Sequence, residues 1–143
     1  MWIYEGKPIE SIEDMPEGTF GFVYEVTHIP TGKKYIGKKQ LMMNRTLPPL
    51  KGQKRKRKVV KEGDWKTYCG SQSEIKSLLK EGTLLDFSRI ILNFVPSKKL
   101  LTYYETKYLF ERGVLEKGDE YLNDNILGKF YRKDFTQWQK DNQ

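Results

Sequence analysis

The first strong periodicity along the chain is that of a strand. In Gly21-Phe22-Val23-Tyr24-Glu25-Val26-Thr27-His28, β-branched and aromatic residues dominate and partly alternate with polar ones, as a half-buried pleated segment requires. Pro30-Thr31-Gly32-Lys33 supplies turn chemistry, since Pro presets φ and Gly tolerates positive φ. Lys34-Tyr35-Ile36-Gly37 resumes as a second short strand, so the pair predicts a β-hairpin. Phe87–Val95 reads as a third strand, partly buried on both faces. Helical spacing occurs twice. Ser71 followed by Glu74 has the spacing of a capping box, Ile75, Leu78 and Leu79 fall at i, i+3, i+4, and Gly82 supplies a stop. After Pro96, Ser97 caps a helix running to about Arg112, with Gly113 as its stop. Residues 1–19, with Pro8, Pro16 and Gly18, read as an N-terminal extension. Residues 40–63 read as a long loop or broken helix around Pro48-Pro49, and Asp134–Gln143 as a frayed amphipathic tail. The order predicts one α+β domain with a small central antiparallel sheet of about three strands flanked by helices. It occupies residues 20–127, with an insertion at 44–63 and a tail at 128–143.

Composition narrows the function. The 143 residues are 37% hydrophobic and 31% charged, enough for one core. No apolar run approaches the ~20 residues of a membrane span. The N-terminus lacks the basic start and apolar stretch of a signal peptide, so a cytoplasmic location is expected. Cys69 and His28 are each the only residue of their kind, which excludes an internal disulfide, a cysteine-built zinc site and any multi-histidine metal centre.

The net charge is +7, from 26 basic and 19 acidic residues. Lys51, Lys54, Arg55, Lys56, Arg57, Lys58 and Lys61 lie within eleven residues with no acid among them; without these seven the remaining 19 basic residues balance the 19 acidic ones. Lys66 follows close behind. Charge concentrated on an otherwise neutral body reads as a device for a polyanion, against the plainer alternative of a solvated loop.

The helix from Ser97 carries the sharpest chemical signal. At about 100° per residue, Leu101 and Leu109 lie about 40° to either side of Glu105. Glu105 therefore points with the apolar face. A buried carboxylate needs a cation, a hydrogen-bond network or a metal, or else takes up a proton. A structural ion pair is the alternative.

Phe22-Val23-Tyr24 and Tyr35-Ile36-Gly37, eleven residues apart from Tyr to Tyr, resemble the paired tripeptides of the GIY-YIG nuclease family. The third strand and the helix with its inward Glu fit as well, so the likeness runs from about Phe20 to Asn125. The basic stretch and Trp65-Lys66-Thr67-Tyr68-Cys69-Gly70-Ser71 look like the small phage-encoded members, including free-standing homing-type endonucleases. The resemblance implies a metal-dependent endonuclease acting on double-stranded DNA, as a monomer or DNA-induced dimer. It implies that Glu105 holds Mg²⁺ (or Mn²⁺), and that Tyr24 and Tyr35 flank the attacking water and the phosphate. It also implies an arginine that stabilises the transition state, with Arg45 in the matching region and Arg55, Arg57 and Arg89 as competitors. Lys38 or Lys39 would assist, and Asn123, or Asn125 in its place, would brace the site. Lys51, Lys54, Arg55, Lys56, Arg57, Lys58, Lys61 and Lys66 would hold DNA.

Two other readings stand beside this one. Asp86 with Glu105-Thr106-Lys107, or Asp64 with Glu74-Ile75-Lys76, echoes a restriction-type pattern that needs Glu and Lys on a strand. A non-catalytic nucleic-acid-binding module would use the basic loop alone.

Overall fold

A computed structural model describes residues 1–142. The predicted hairpin forms as β3 (Gly21–His28) and β4 (Lys33–Gln40). Gly32 stands at φ 73° in its turn. The third strand is β7 (Phe87–Val95), antiparallel to β3. Between Val23 and Tyr24 the register with β7 slips, because Leu92 is an extra residue on that strand. Such a bulge reverses which face later residues meet. Phe87, Ile91 and Phe94 thus join one core while Leu92 and Val95 join the other, which is why this strand shows no clean alternation.

The sheet has five strands rather than three. The segment expected as an extension supplies β1 (Trp2–Tyr4) and β2 (Lys7–Ile9), and β1 runs parallel to β7, so the sheet is mixed, in the order β2-β1-β7-β3-β4. Three-residue strands are too short to show a period of two. Trp2 is 1% exposed and donates its indole N–H to the Trp65 carbonyl at 2.6 Å, so residues 2–9 are integral to the fold.

Two layers cover the sheet. One is the core of Trp2, Phe22, Tyr24, Trp65 and Ile75, under α1 (Ser73–Glu81). The other is the core of Val23, Ile36, Leu101 and Leu109, under α2 (Lys98–Glu111). Ser97 caps α2 through its side chain, as expected. In α1 the cap is one residue later than expected: Gln72, not Ser71, accepts from the Ile75 N–H at 3.0 Å.

The stretch expected as a long loop or broken helix is a loop only over residues 48–56. It folds as an antiparallel ribbon, β5 (Met42–Leu47) and β6 (Arg57–Glu62), separate from the central sheet. Seven like charges repel along a helix, whereas here four lie in the connection between the strands and three on β6. After α2 come a short hairpin, β8 (Asn125–Ile126) and β9 (Phe130–Tyr131), and α3 (Arg132–Asp141). The expected frayed tail is therefore helical as far as it is described; Gln143 lies outside the described residues. Among the described residues, no helix is long and apolar enough to cross a membrane.

Candidate active site

Strand β4 is an edge of the central sheet, and the tyrosines meet there. Val26 pairs with Tyr35 and Tyr24 with Gly37, so both tyrosines lie on one face in diagonal register. Their ring centroids are 6.5 Å apart. The Tyr24 ring lies over Gly37: a Cβ on residue 37 would come 2.6 Å from Tyr24 Cζ and 3.0 Å from Tyr35 Cε1. Only glycine leaves room for the Tyr24 hydroxyl to reach the sheet edge. Trp2 and Tyr68 close around the same ring, at 5.2 and 6.0 Å. Burial pushes the Tyr24 hydroxyl well above its ordinary range, with the Tyr68 and Tyr35 rings adding to it. Tyr35 is pushed up to about 12, first by burial and next by the charge of Glu105.

Glu105 reaches this edge from the other layer. It sits on α2 between the buried Leu101 and Leu109 and is itself half-buried. Burial raises its carboxyl above the usual carboxylate range, and Lys38 works the other way. Lys38 is on the α2 side of β4 and donates to Thr102 Oγ1 at 3.0 Å. Tyr35, Lys38, Gln72, Glu105 and Asn123 line one cleft of about 430 Å³. Tyr24 is not among the residues that line it; its hydroxyl lies against Gly37, next to Tyr35. Among the described residues Glu105 has no ion-pair partner, and no group of three or more His, Cys, Asp or Glu is assembled. The half-buried Glu105 and the exposed Asp124 are the two carboxylates lining this polar cleft, a donor set that suits a hard cation that keeps most of its waters.

The outer edge of β4 is held by the end of the chain. Asn123 accepts from the Ile36 N–H at 3.0 Å and donates to the Ile36 carbonyl at 2.8 Å, completing with its side chain the pairing a neighbouring strand would provide. Lys34 donates its N–H to Glu120 and accepts from Leu122. Arg132, which the sequence did not single out, donates to the carbonyls of Val114, Tyr121 and Asn123. It positions the Asn123 segment. Its only trace in the sequence is a cation at the start of a helix, where the dipole disfavours one.

Against known families, residues 2–126 match the model described as "Putative endonuclease segE, GIY-YIG domain". The chain belongs to the GIY-YIG endonuclease family. Its domain is that of a nuclease acting on DNA. No curated protein and no solved structure matches the chain.

The arginine of the GIY-YIG pattern has no counterpart in the cleft. Arg45 lies on β5, exposed, opposite Val59. Arg55 is in the turn of the ribbon and Arg57 on β6. Arg89 is buried under the sheet, donating to the carbonyls of Lys66 and Tyr68 and stacked over Trp2. Arg112 pairs with Glu25 at 2.8 Å. Lys39 points away from Lys38 and pairs with Asp64 at 2.6 Å. Asn125 accepts from the Gly128 N–H in a turn and braces nothing on β4.

The remaining basic residues are all exposed: Lys51, Lys54, Arg55 and Lys56 in the ribbon's turn, Arg57, Lys58 and Lys61 on β6, and Lys66 before α1. Both Glu-x-Lys triplets are helical, on α2 and α1, so the restriction-type pattern, which needs a strand, is not met. His28 and Cys69 are structural: His28 bonds Thr31 at 2.8 Å and packs on Phe87, and the Cys69 thiol is buried.

Proposed function

We propose that the chain hydrolyses phosphodiester bonds of double-stranded DNA at the Glu105 cleft with the help of a divalent metal ion. The observation that carries this is the meeting of Tyr35, Lys38 and an unpaired, half-buried Glu105 in one polar cleft, with the Tyr24 ring beside Tyr35 on the same strand pair. Glu105 would hold Mg²⁺ or Mn²⁺, which when bound supplies neutralisation of charge on the phosphate oxygens. The tyrosine hydroxyls orient the attacking water. Both are raised, and one cause at Tyr35 is the Glu105 charge. Neutralising that charge removes this cause and moves the Tyr35 hydroxyl back toward the range where it can accept a proton. Water attack forms a new P–O bond as the P–O bond to the leaving sugar oxygen breaks; the water's proton passes to the Tyr35 oxygen in its phenolate form, and the leaving oxygen takes a proton from solvent.

Lys38 takes the part expected of Arg45, facing the phosphate's developing charge. Asn123 and Arg132 hold β4 still. The basic ribbon holds the duplex. The resemblance of residues 65–71 supports a phage-encoded enzyme of the homing or host-DNA-degrading kind.

Incubation with supercoiled plasmid tests the reading. Relaxed or linear product should form with Mg²⁺ and not with EDTA. Glu105→Gln, which keeps the shape and loses the charge, should bind duplex and not cut it. Cutting by Glu105→Gln at the wild-type rate would remove Glu105 from the chemistry.

A further inference from the structure

The ribbon's charge is one-sided, which the linear sequence conceals. Directly opposed residues of an antiparallel pair share a face. Met43 opposes Lys61, Arg45 opposes Val59 and Leu47 opposes Arg57, so Arg45, Arg57 and Lys61 stand on one face with no acid. The other face carries Met42 with Glu62, Asn44 with Val60 and Thr46 with Lys58. Its one cation and one acid cancel, and Glu62 is turned back to accept from the Trp65 indole at 2.7 Å.

The charged face is also the one that continues to the cleft. Met43, on that face, lines a hollow with Lys38, Lys39, Tyr68 and Lys98, and Lys38 lines the Glu105 cleft as well. The ribbon's charged face thus adjoins, through Met43, a hollow whose Lys38 also lines the Glu105 cleft.

Size selects how a duplex meets such an element. Six residues per strand extend about 20 Å, with strands about 4.8 Å apart. A two-stranded ribbon enters the major groove, about 12 Å wide, and not the minor groove, about 6 Å wide. At that reach the turn, with Lys51, Lys54, Arg55 and Lys56, meets the far phosphate wall.

We propose that the β5–β6 ribbon lies in the major groove of duplex DNA, with its Arg45, Arg57 and Lys61 face turned into the groove. This rests on the DNA reading of the Glu105 cleft and assigns that cleft's substrate a groove and an orientation.

The test is fluorescence anisotropy of a labelled duplex with the full chain carrying Glu105→Gln, so that nothing is cut. Methyl green, which occupies the major groove, should weaken binding at least tenfold, and netropsin, which occupies the minor groove, should change it less than twofold. Replacing Arg45, Arg57 and Lys61 by Ser should weaken binding by about a hundredfold or more, as loss of groove contacts does. Lys58→Ser, on the opposite face, should weaken it by less than about threefold. All four residues are exposed, and thermal melting verifies that each variant folds. Competition by netropsin and not by methyl green overturns the groove assignment and leaves the nuclease reading standing. Lys58→Ser as damaging per charge as the triple variant overturns the orientation. No binding to any duplex overturns the DNA reading of the cleft, and the ribbon proposal with it.

Discussion

Gly37→Ala tests whether the placement of the Tyr24 ring matters to cleavage. A methyl at residue 37 would lie 2.6 Å from Tyr24 Cζ, where ordinary contact begins at 3.4 Å. The ring must retreat by about 0.8 Å, and it is 1% exposed with Trp2 and Tyr68 packed against it. Overpacking of this kind costs about 1–3 kcal/mol, a fall in Tm of roughly 3–10 °C for a chain of this size. Misplacing a reacting group by about an ångström can cost ~10²-fold in rate. Gly37→Ala should therefore remain folded at 25 °C, bind a labelled duplex normally, and cut plasmid about a hundredfold more slowly in single turnover. In a Tyr24→Phe background the further loss of rate should shrink, because the hydroxyl that alanine displaces is already gone. A lowered Tm with a wild-type rate would sever the link between ring position and chemistry. An unchanged Tm would show that the ring does not lie on Gly37 in solution.

Other outcomes follow from the same geometry. Tyr35→Phe should lower the cleavage rate by ~10²–10⁴ with its melting temperature unchanged; equal rates would reduce Tyr35 to packing. Asn123→Ala strands the buried N–H and carbonyl of Ile36 and should cost about 2–4 kcal/mol in urea unfolding; a loss below about 0.5 kcal/mol would mean that the clamp does not close in solution. Glu105 has a raised carboxyl, so its folded form binds a proton more readily than its unfolded form, and its ionisation lowers stability as pH rises through the folded value. In EDTA at pH 7.5, Glu105→Gln should thus melt higher than wild type, and the gap should vanish below the ordinary glutamate range. Added Mg²⁺ should raise the wild-type Tm alone, and an equal rise in both proteins would place the ion elsewhere.

The sequence was informative where a residue's local pattern and its role coincide. The β3–β4 hairpin has turn chemistry and strand composition in one window, and Glu105 stands out because it lies between Leu101 and Leu109, the buried residues of its helix. Cα partners then bring Tyr24, Gly37 and Tyr35 together as the eleven-residue spacing implies. Illegible features depend on partners distant in the chain. Strand β1 joins the sheet by pairing with β7 far along the chain, Trp2 with Arg89 and Ile3 with Ile90, and its three residues carry no period of their own. Arg132 acts on carbonyls from residues 114 to 123, and nothing near it in sequence announces them. The ribbon was hidden by its charge, because a run of Lys and Arg looks alike in a loop and in a strand. Arg45 was proposed from its distance along the chain; the structure puts it on the exposed strand β5, outside the residues that line the cleft.

The clamp of Asn123 on Ile36 spans 87 positions, and that span sets an order of events during synthesis. Both tyrosines, Lys38 and Glu105 leave the ribosome before Asn123 and Arg132 do, since a chain is made from its N-terminus onward. Until those last residues arrive, the outer backbone of β4 has nothing to pair with at Ile36, and the strand carrying Tyr35 and Lys38 is free to fray. A chain stopped before Asn123 would hold Tyr24, Tyr35, Lys38 and Glu105 with β4 paired on its β3 side alone. In a domain of DNA nucleases, the brace is thus made after the residues it steadies, and order at the cleft edge waits for residues 120–132.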